Sequence, residues 1–300
     1  MRVALRAWLD LVRAPAALTV LGDTVAGAVA AGRPLRGRRL ALPLASVALY
    51  WSGMALNDWA DRAVDARERP ERPVPSGRIA PGAALAAAAG LGAAGLGLAA
   101  LAGGAETLRI AVPLTAAVWA YDTVLKPTPA APLGMAACRG LDVLLGAGAG
   151  HWRAARVPAL ALATHALGVT ALSRGEVHGG RSADARLAVA TTLATTLLTG
   201  TGRAASARHR TAGALCALGY AAATGTAQLA AAPARPAGPG ADGAVGGTAA
   251  AVRTATVAGI HGMVPLQAAL AARLGSLPAA ALVLGALPLA RRLSARRSPT

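Results

Sequence analysis

Phenylalanine is absent from this 300-residue chain, and aromatic residues of all kinds make up 3% of it. An aromatic stacking pocket is therefore not evident. Cysteine is nearly absent too. Cys138 and Cys216 lie in or beside apolar stretches with no metal-like spacing, which argues against a disulfide scaffold or a thiolate metal site and makes both core residues. Lysine occurs once, at Lys126, against 29 arginines. The abundance of Ala, Gly, Arg and Pro reads as compositional pressure rather than function, but it makes the lone lysine conspicuous. Charge is also scarce, at 14% of residues, and acids are outnumbered by bases, 13 to 30, for a net charge of +17.

What is plentiful is apolar. Hydrophobic residues make up 55% of the chain and the mean hydropathy is +0.49. They fall in long blocks, and crossing a membrane takes roughly 20 such residues. Residues 14–32, 41–57, 82–103, 107–121, 133–150, 157–172, 187–201, 211–231, 254–272 and 276–290 each approach that length. The expectation is an all-α polytopic bundle of nine to ten transmembrane helices. The stretch 254–272, which carries His261, Pro265 and Gln267, decides between the two numbers. Most segments between the blocks are short, so 1–300 reads as one transmembrane domain, with the Pro/Gly-rich 232–247 as a flexible linker between late helices. The block 14–32 reads as a retained span rather than a signal peptide. The block 82–103 is almost all small residues, which suits a packing helix in lipid.

In a soluble protein a charge of +17 would suggest nucleic acid. Between apolar blocks, arginines instead fix topology, so the expected partner is the lipid bilayer and no nucleic acid. Threading the chain with its N-terminus inside puts most cations on the inner side; the four arginines in 33–39 are the main violation. This predicts a multi-pass cell-membrane protein with the N-terminus and the site loops cytoplasmic. On that threading 58–81, 122–132 and 173–186 share the inner face and hold most of the carboxylates. Acids are costly near hydrocarbon and mark functional positions, so three such segments suggest a cap over a central cavity.

The strongest signal is NDWADRAVDARERPERPVPSGRI at 57–79. Asn57, Asp58, Asp61 and Asp65 recur at helical spacing and fall within a sector of roughly 100°. Carboxylates stacked on one face repel unless cations intervene. Mg²⁺ suits them, because it takes a few carboxylates and completes its shell with water and phosphate oxygens. Arg62, Arg67, Arg69, Arg72 and Arg78 in the same stretch supply groups that can grip phosphate. Pro70, Pro73 and Pro75 end the helix, and Ser76-Gly77 makes a turn.

Asn-Asp-x-x-Asp-x-x-x-Asp at the end of a second membrane helix resembles the first aspartate-rich motif of the UbiA superfamily of intramembrane prenyltransferases. The trailing RPERPVPSGRI is most like its EboC-like branch. The resemblance implies a bundle of about nine helices and a polyprenyl diphosphate donor. It also implies Mg²⁺ bridging Asn57, Asp58, Asp61 and Asp65 to diphosphate, and transfer of the prenyl group to a small acceptor whose identity the sequence leaves open. YDTVLK at 121–126 resembles the family's diphosphate-contacting element, which gives Tyr121, Asp122 and Lys126 matching roles, although Pro127 stands where a second basic residue is usual. Asp58, Asp61 and Lys126 are the candidate catalytic residues.

The second acidic cluster of the family is thin here. LSRGEVHGGRSADAR at 172–186 offers Glu176 near the expected place, with Asp184 further on. Either Glu176, with His178, holds a second metal, or Arg174 replaces that metal's charge. Arg139 and Asp142, spaced i, i+3, could form a structural ion pair or belong to the site. Asp23, mid-span, should face the bundle interior, where it binds the acceptor or pairs with another helix. His261 and Gln267 either line the same cavity or hydrogen-bond between helices.

Two rival readings remain at this stage. Phosphatidyl transfer also uses acidic membrane helices, but its Asp-Gly-x-x-Ala-Arg opening is missing. The thin second cluster would also suit a non-catalytic lipid-binding scaffold or transporter on the same frame.

Overall fold

A computed structural model describes residues 2–177, 179–232 and 248–295. The expected linker from residue 233 onward, and His178, lie outside the described residues. Among those described, every regular element is a helix: α1 Arg2–Leu11, α2 Leu21–Ala30, α3 Ala41–Ala60, α4 Arg62–Glu68, α5 Pro81–Gly103, α6 Ala105–Ala120, α7 Ala131–Ala147, α8 Trp152–Ser173, α9 Ser182–Thr201, α10 Ala207–Ala231, α11 Ala249–Arg273 and α12 Leu277–Ala295.

All ten apolar blocks lie largely within helices. Among the described residues, five segments are long and apolar enough to cross a membrane on those grounds alone: Gly37–Ala60, Pro81–Gly103, Ala105–Leu125, Ala149–Ser173 and Ala249–Arg273. The stretch that left the helix number open, 254–272, is among them. The first block is not one straight helix. Leu5–Leu11 meets Ala14–Ala30 at a 44° bend, and Ala14–Thr19 is a 3₁₀ turn. The bend turns at Arg13, the one non-glycine residue with positive φ among those described (φ 45).

Local chemistry explains the helix ends. Pro81 opens α5, where its missing N–H costs nothing. Gly104 and Gly148, with φ of 59° and 86°, close α5 and α7 in conformations that a side chain disfavours. The Ser206 and Thr248 hydroxyls accept from the backbone N–H groups of His209 and Ala251, capping α10 and α11.

Small residues set the packing, as lipid gives helices no hydrophobic reason to associate. A Cβ on Gly27 would strike the Val143 carbonyl and one on Gly146 the Thr24 carbonyl, so α2 and α7 cross backbone to backbone. A Cβ on Gly95 would come within 2.7 Å of Leu49, which fits α5 closely onto α3. The helices α3, α6, α7, α8 and α11, with the 3₁₀ turn Ala14–Thr19, line a central cavity, while α5, α9, α10 and α12 contribute no lining residue. Helix α1 buries Ala7 and Leu11 against α3 and the 72–79 turn.

Candidate active site

The cavity has a volume of about 380 Å³. One end of it, here the mouth, is built by the three segments that the sequence singled out. α3 runs to Ala60, Asp61 forms the joint, and α4 continues the same course, since the Asp61 and Asp65 amides donate to the Asn57 and Asp61 carbonyls. Beyond Ala120 the α6 course continues as a π-helical turn over Tyr121–Leu125, which delivers Lys126 to the mouth. Such turns recur at functional positions.

The acids of the first motif share a face and divide between two cations, Arg72 and Lys126. Arg72 Nη1 donates to Asp65 Oδ2 at 2.8 Å and lies 3.5 Å from Asp58 Oδ1. Lys126 Nζ pairs with Asp61. Asn57 Nδ2 donates to Asp122 Oδ1 at 3.1 Å, and Arg13 Nη2 donates to Asn57 Oδ1 at 3.3 Å. Burial and the neighbouring Arg13 both act against the Arg72 charge and lower its pKa; Asp65 and Asp58 hold it charged. The turn after α4 is fixed as expected: Ser76 Oγ donates to the Arg72 carbonyl at 2.6 Å, and Gly77 takes φ 74°.

The second acidic segment contributes less. Glu176 is buried at the cavity wall, with Arg69 Nη2 3.9 Å from its carboxylate and Arg253 Nη1 donating to its carbonyl at 3.0 Å. Burial pushes the Glu176 carboxyl pKa up, against the pull of Arg69 and Arg13. Arg174 is exposed and donates to the Thr128 carbonyl at 3.2 Å instead of entering the cavity. Arg62 also stays outside, donating to the Trp59 carbonyl at 2.7 Å with its guanidinium over the Trp59 ring. Of the candidate binding residues, Arg69, Arg72, Tyr121, Asp122, Lys126 and Arg139 line the cavity.

Deeper in the bundle, the direct ion pair of Arg139 is with Asp23 at 2.9 Å, not with its helix neighbour Asp142. Asp142 accepts from Ser46 Oγ at 2.6 Å. Asp23 is fully buried and accepts from Gln267 Nε2 at 2.6 Å. Gln267 thus bonds between helices, while His261 lines the cavity.

Among the described residues no three acidic, histidine or cysteine side chains converge to hold an ion by themselves. That suits Mg²⁺ carried in part by phosphate, which needs one or two carboxylates rather than a protein cage. Asn57 is the residue of the motif that lines the cavity, and beside it Asp58 Oδ2 is a buried acceptor with no hydrogen-bond partner, which suits such an ion. The residues therefore fit the metal when it arrives with a diphosphate.

Arg13 was missed in the sequence. It lines the mouth in a left-handed backbone conformation that costs a non-glycine residue on the order of 1–2 kcal/mol. Its only signal was an arginine followed by Pro15 at the start of an apolar block.

Comparison with known proteins gives the frame its place. Digeranylgeranylglyceryl phosphate synthase of Methanopyrus kandleri is 41% identical over 81 residues, 27% of this chain and 30% of that protein. The bacteriochlorophyll synthase 33 kDa chain of Rhodobacter capsulatus is 36% identical over 78 residues, 25% of this chain and 26% of that one. The matched part thus spans under a third of these curated relatives. A solved structure concerned with digeranylgeranylglyceryl phosphate synthase in membranes superposes over 91% of this chain and 99% of its own, with TM-score 0.63 and 18% identity. A UbiA homolog from Archaeoglobus fulgidus bound to GPP and Mg²⁺ superposes over 88% of this chain and 99% of its own, with TM-score 0.59 and 14% identity. At those identities the likeness shows the fold. The description of the UbiA prenyltransferase family matches residues 19–241, which takes in both acidic segments and most of the bundle, and this multi-pass membrane chain belongs to that family.

Proposed function

We propose that the chain is an integral-membrane prenyltransferase that moves an isoprenyl group from a polyprenyl diphosphate to a small acceptor, working as one domain with its mouth on the cytoplasmic side. The observation that carries this reading is the arrangement at the mouth. Asn57, Lys126 and Glu176 line that end of the cavity, with Asp61 paired to Lys126 and Arg69 beside Glu176, and its walls include the apolar Leu49, Val118 and Val169.

The chemistry follows from charge. The bond from C1 of the allylic group to the diphosphate oxygen breaks, and the electron pair leaves with the diphosphate. Negative charge then develops where Arg13, Arg69, Arg72 and Lys126 stand, and preorganised cations in a site poor in water stabilise it far more than water could. Bound Mg²⁺, held by Asn57, Asp58, Asp61 and Asp65 with Glu176 nearby, would add Lewis-acid neutralisation of the leaving group. The apolar walls of the cavity keep water from the allylic cation. The acceptor's nucleophile bonds to C1 and gives up its proton. Without ligand, Arg72 and Lys126 neutralise the acids; their pairing partners are the groups offered to the metal, so donor binding frees the cations for phosphate.

Purified protein incubated with geranyl diphosphate and Mg²⁺ tests the proposal, read as diphosphate release. Release that stops with EDTA and in Asp61→Ala supports it; absence of release under all conditions, with the fold intact, counts against it. Orientation is read separately. With Cys138 and Cys216 replaced, an impermeant thiol reagent on intact cells should label Arg36→Cys and spare Ser76→Cys, both exposed positions at opposite ends of α3 and its loops. The reverse pattern overturns the orientation.

A further inference from the structure

The loop that breaks the expected charge pattern, 33–39, lies at the end of the bundle opposite the mouth. From Ala41 to Ala60, at 1.5 Å per residue, α3 carries the chain about 30 Å, so its start is a membrane's width from the acids of 57–65. Arg33 Nη1 donates to Glu106 Oε1 at 2.6 Å and to the Ala147 carbonyl at 3.2 Å. Arg39 Nη2 donates to the Gly146 carbonyl at 2.7 Å. These bonds gather the start of α6, the end of α7 and the turn before α8 around the loop.

Charge at this end is one-sided. The segments 31–40, 104–109 and 148–156 hold seven arginines and one acid, Glu106. Glu106 is already shared between Arg33 and His151. Arg36, Arg38, Arg153 and Arg156 are all exposed, and among the described residues none of them pairs with an acid. Arg153 has the Trp152 ring, 5.7 Å away, as its partner. At the mouth, by contrast, Arg72 and Lys126 each hold a carboxylate.

Exposed aliphatic side chains follow these arginines toward the middle of the bundle. Leu40 and Leu44, four residues apart where the 3₁₀ turn Gly37–Leu40 runs into α3, are 58% and 57% exposed. Leu160, one turn beyond Arg156 on α8, is 54% exposed. Trp152 is half exposed at the start of α8, and tryptophan favours the depth of the lipid headgroups. Arginine stems reach from apolar surface to that same depth. Whatever neutralises this end must therefore carry negative charge beside an apolar chain. A free anion leaves the leucines uncovered, and a zwitterionic lipid brings no net counter-charge.

We propose that Arg36, Arg38, Arg153 and Arg156 form a binding surface for anionic phospholipid in the leaflet opposite the mouth. The lipid phosphate sits on the guanidinium groups, and its acyl chains lie along Leu40, Leu44 and Leu160. None of these residues lines the cavity, so the surface is separate from the candidate active site.

The test uses the full-length chain in nanodiscs of phosphatidylcholine doped with spin-labelled phosphatidylglycerol or spin-labelled phosphatidylcholine. Electron spin resonance reads the fraction of each label held by the protein. Wild type should favour phosphatidylglycerol by about threefold or more at low salt, and the preference should shrink at high salt. Arg36→Gln, Arg38→Gln, Arg153→Gln and Arg156→Gln together should remove most of it. An equal loss of charge from exposed positions near the mouth, Arg67→Gln, Arg174→Gln, Arg181→Gln and Arg186→Gln, should leave most of it. No preference in wild type overturns the proposal, and so does a mouth variant that loses as much as the far one. If the fourfold variant does not fold, Arg36→Gln with Arg38→Gln alone must still lower the preference. Inorganic phosphate should displace no more phosphatidylglycerol than chloride of equal ionic strength. Complete displacement by phosphate would make this a site for the free anion and overturn the lipid assignment.

Discussion

The segments 57–72 and 172–181 occupy matching places at the mouth of one cavity, and they are built in opposite ways. In the first, four polar side chains of a continuous helical course each meet a named partner on another element or turn: Asn57 with Arg13 and Asp122, Asp58 and Asp65 with Arg72, Asp61 with Lys126. In the second, one acid, Glu176, stands at the wall with Arg69 at 3.9 Å, while Arg174 points outward to Thr128. The contrast teaches that the charge-handling machinery is concentrated on one side of the mouth. The other side supplies a single buried carboxyl and no compensating arginine. Of the two sequence alternatives for the second segment, the geometry favours Glu176 over Arg174, because only Glu176 reaches the cavity.

Breaking the first segment should have the largest effect. Asp61→Ala releases Lys126 and removes a carboxylate from the donor end, and should lower turnover by about a hundredfold or more, the scale of losing one preorganised stabilising group. Thermal melting should show the fold retained, since Asp61 is only partly buried. Next comes Lys126→Ala, with an expected loss of about tenfold to a hundredfold in kcat/KM for geranyl diphosphate, partly recovered in Lys126→Arg because charge returns without the same geometry. Full activity in Lys126→Ala would detach the π-helical turn from the chemistry.

The second segment should respond more weakly. Glu176→Gln should cost about tenfold in rate and raise the Mg²⁺ concentration needed for half-maximal activity, both read from a Mg²⁺ titration. Arg174→Ala, exposed and bonded only to a carbonyl, should stay within about twofold. A severe Arg174→Ala with a mild Glu176→Gln would reverse the comparison. Arg62→Ala, stacked on Trp59 outside the cavity, should change turnover least of all.

Much of this was legible in the sequence, for physical reasons. Apolar length locates membrane helices well, because unpaired backbone groups are not tolerated in lipid, and the ten blocks became helices. The acid motif was legible because 57, 58, 61 and 65 fall on one helix face. What was not legible is pairing. Spacing put Arg139 beside Asp142, but the α2–α7 crossing at Gly27 and Gly146 brings Asp23 to Arg139 instead. Spacing also suggested four side chains facing one point, whereas the turn at 69–78 returns Arg72 to take two of them. Arg13 was hidden because its role depends on a left-handed backbone at a helix break, which no periodicity reports. The small residues of 82–103 did mark a packing helix, and Gly95 shows where it packs.

The central claim is that the mouth built on 57–65 and Lys126 holds an isoprenyl diphosphate together with Mg²⁺. The most direct measurement is equilibrium binding of a non-hydrolysable geranyl thiolodiphosphate to purified wild type and Asp61→Ala, each with Mg²⁺ and with EDTA. The account predicts saturable binding by wild type that needs Mg²⁺ and weakens by about tenfold or more in Asp61→Ala. Binding that is equally tight in the variant and in EDTA, or no binding by a folded wild type, would contradict it.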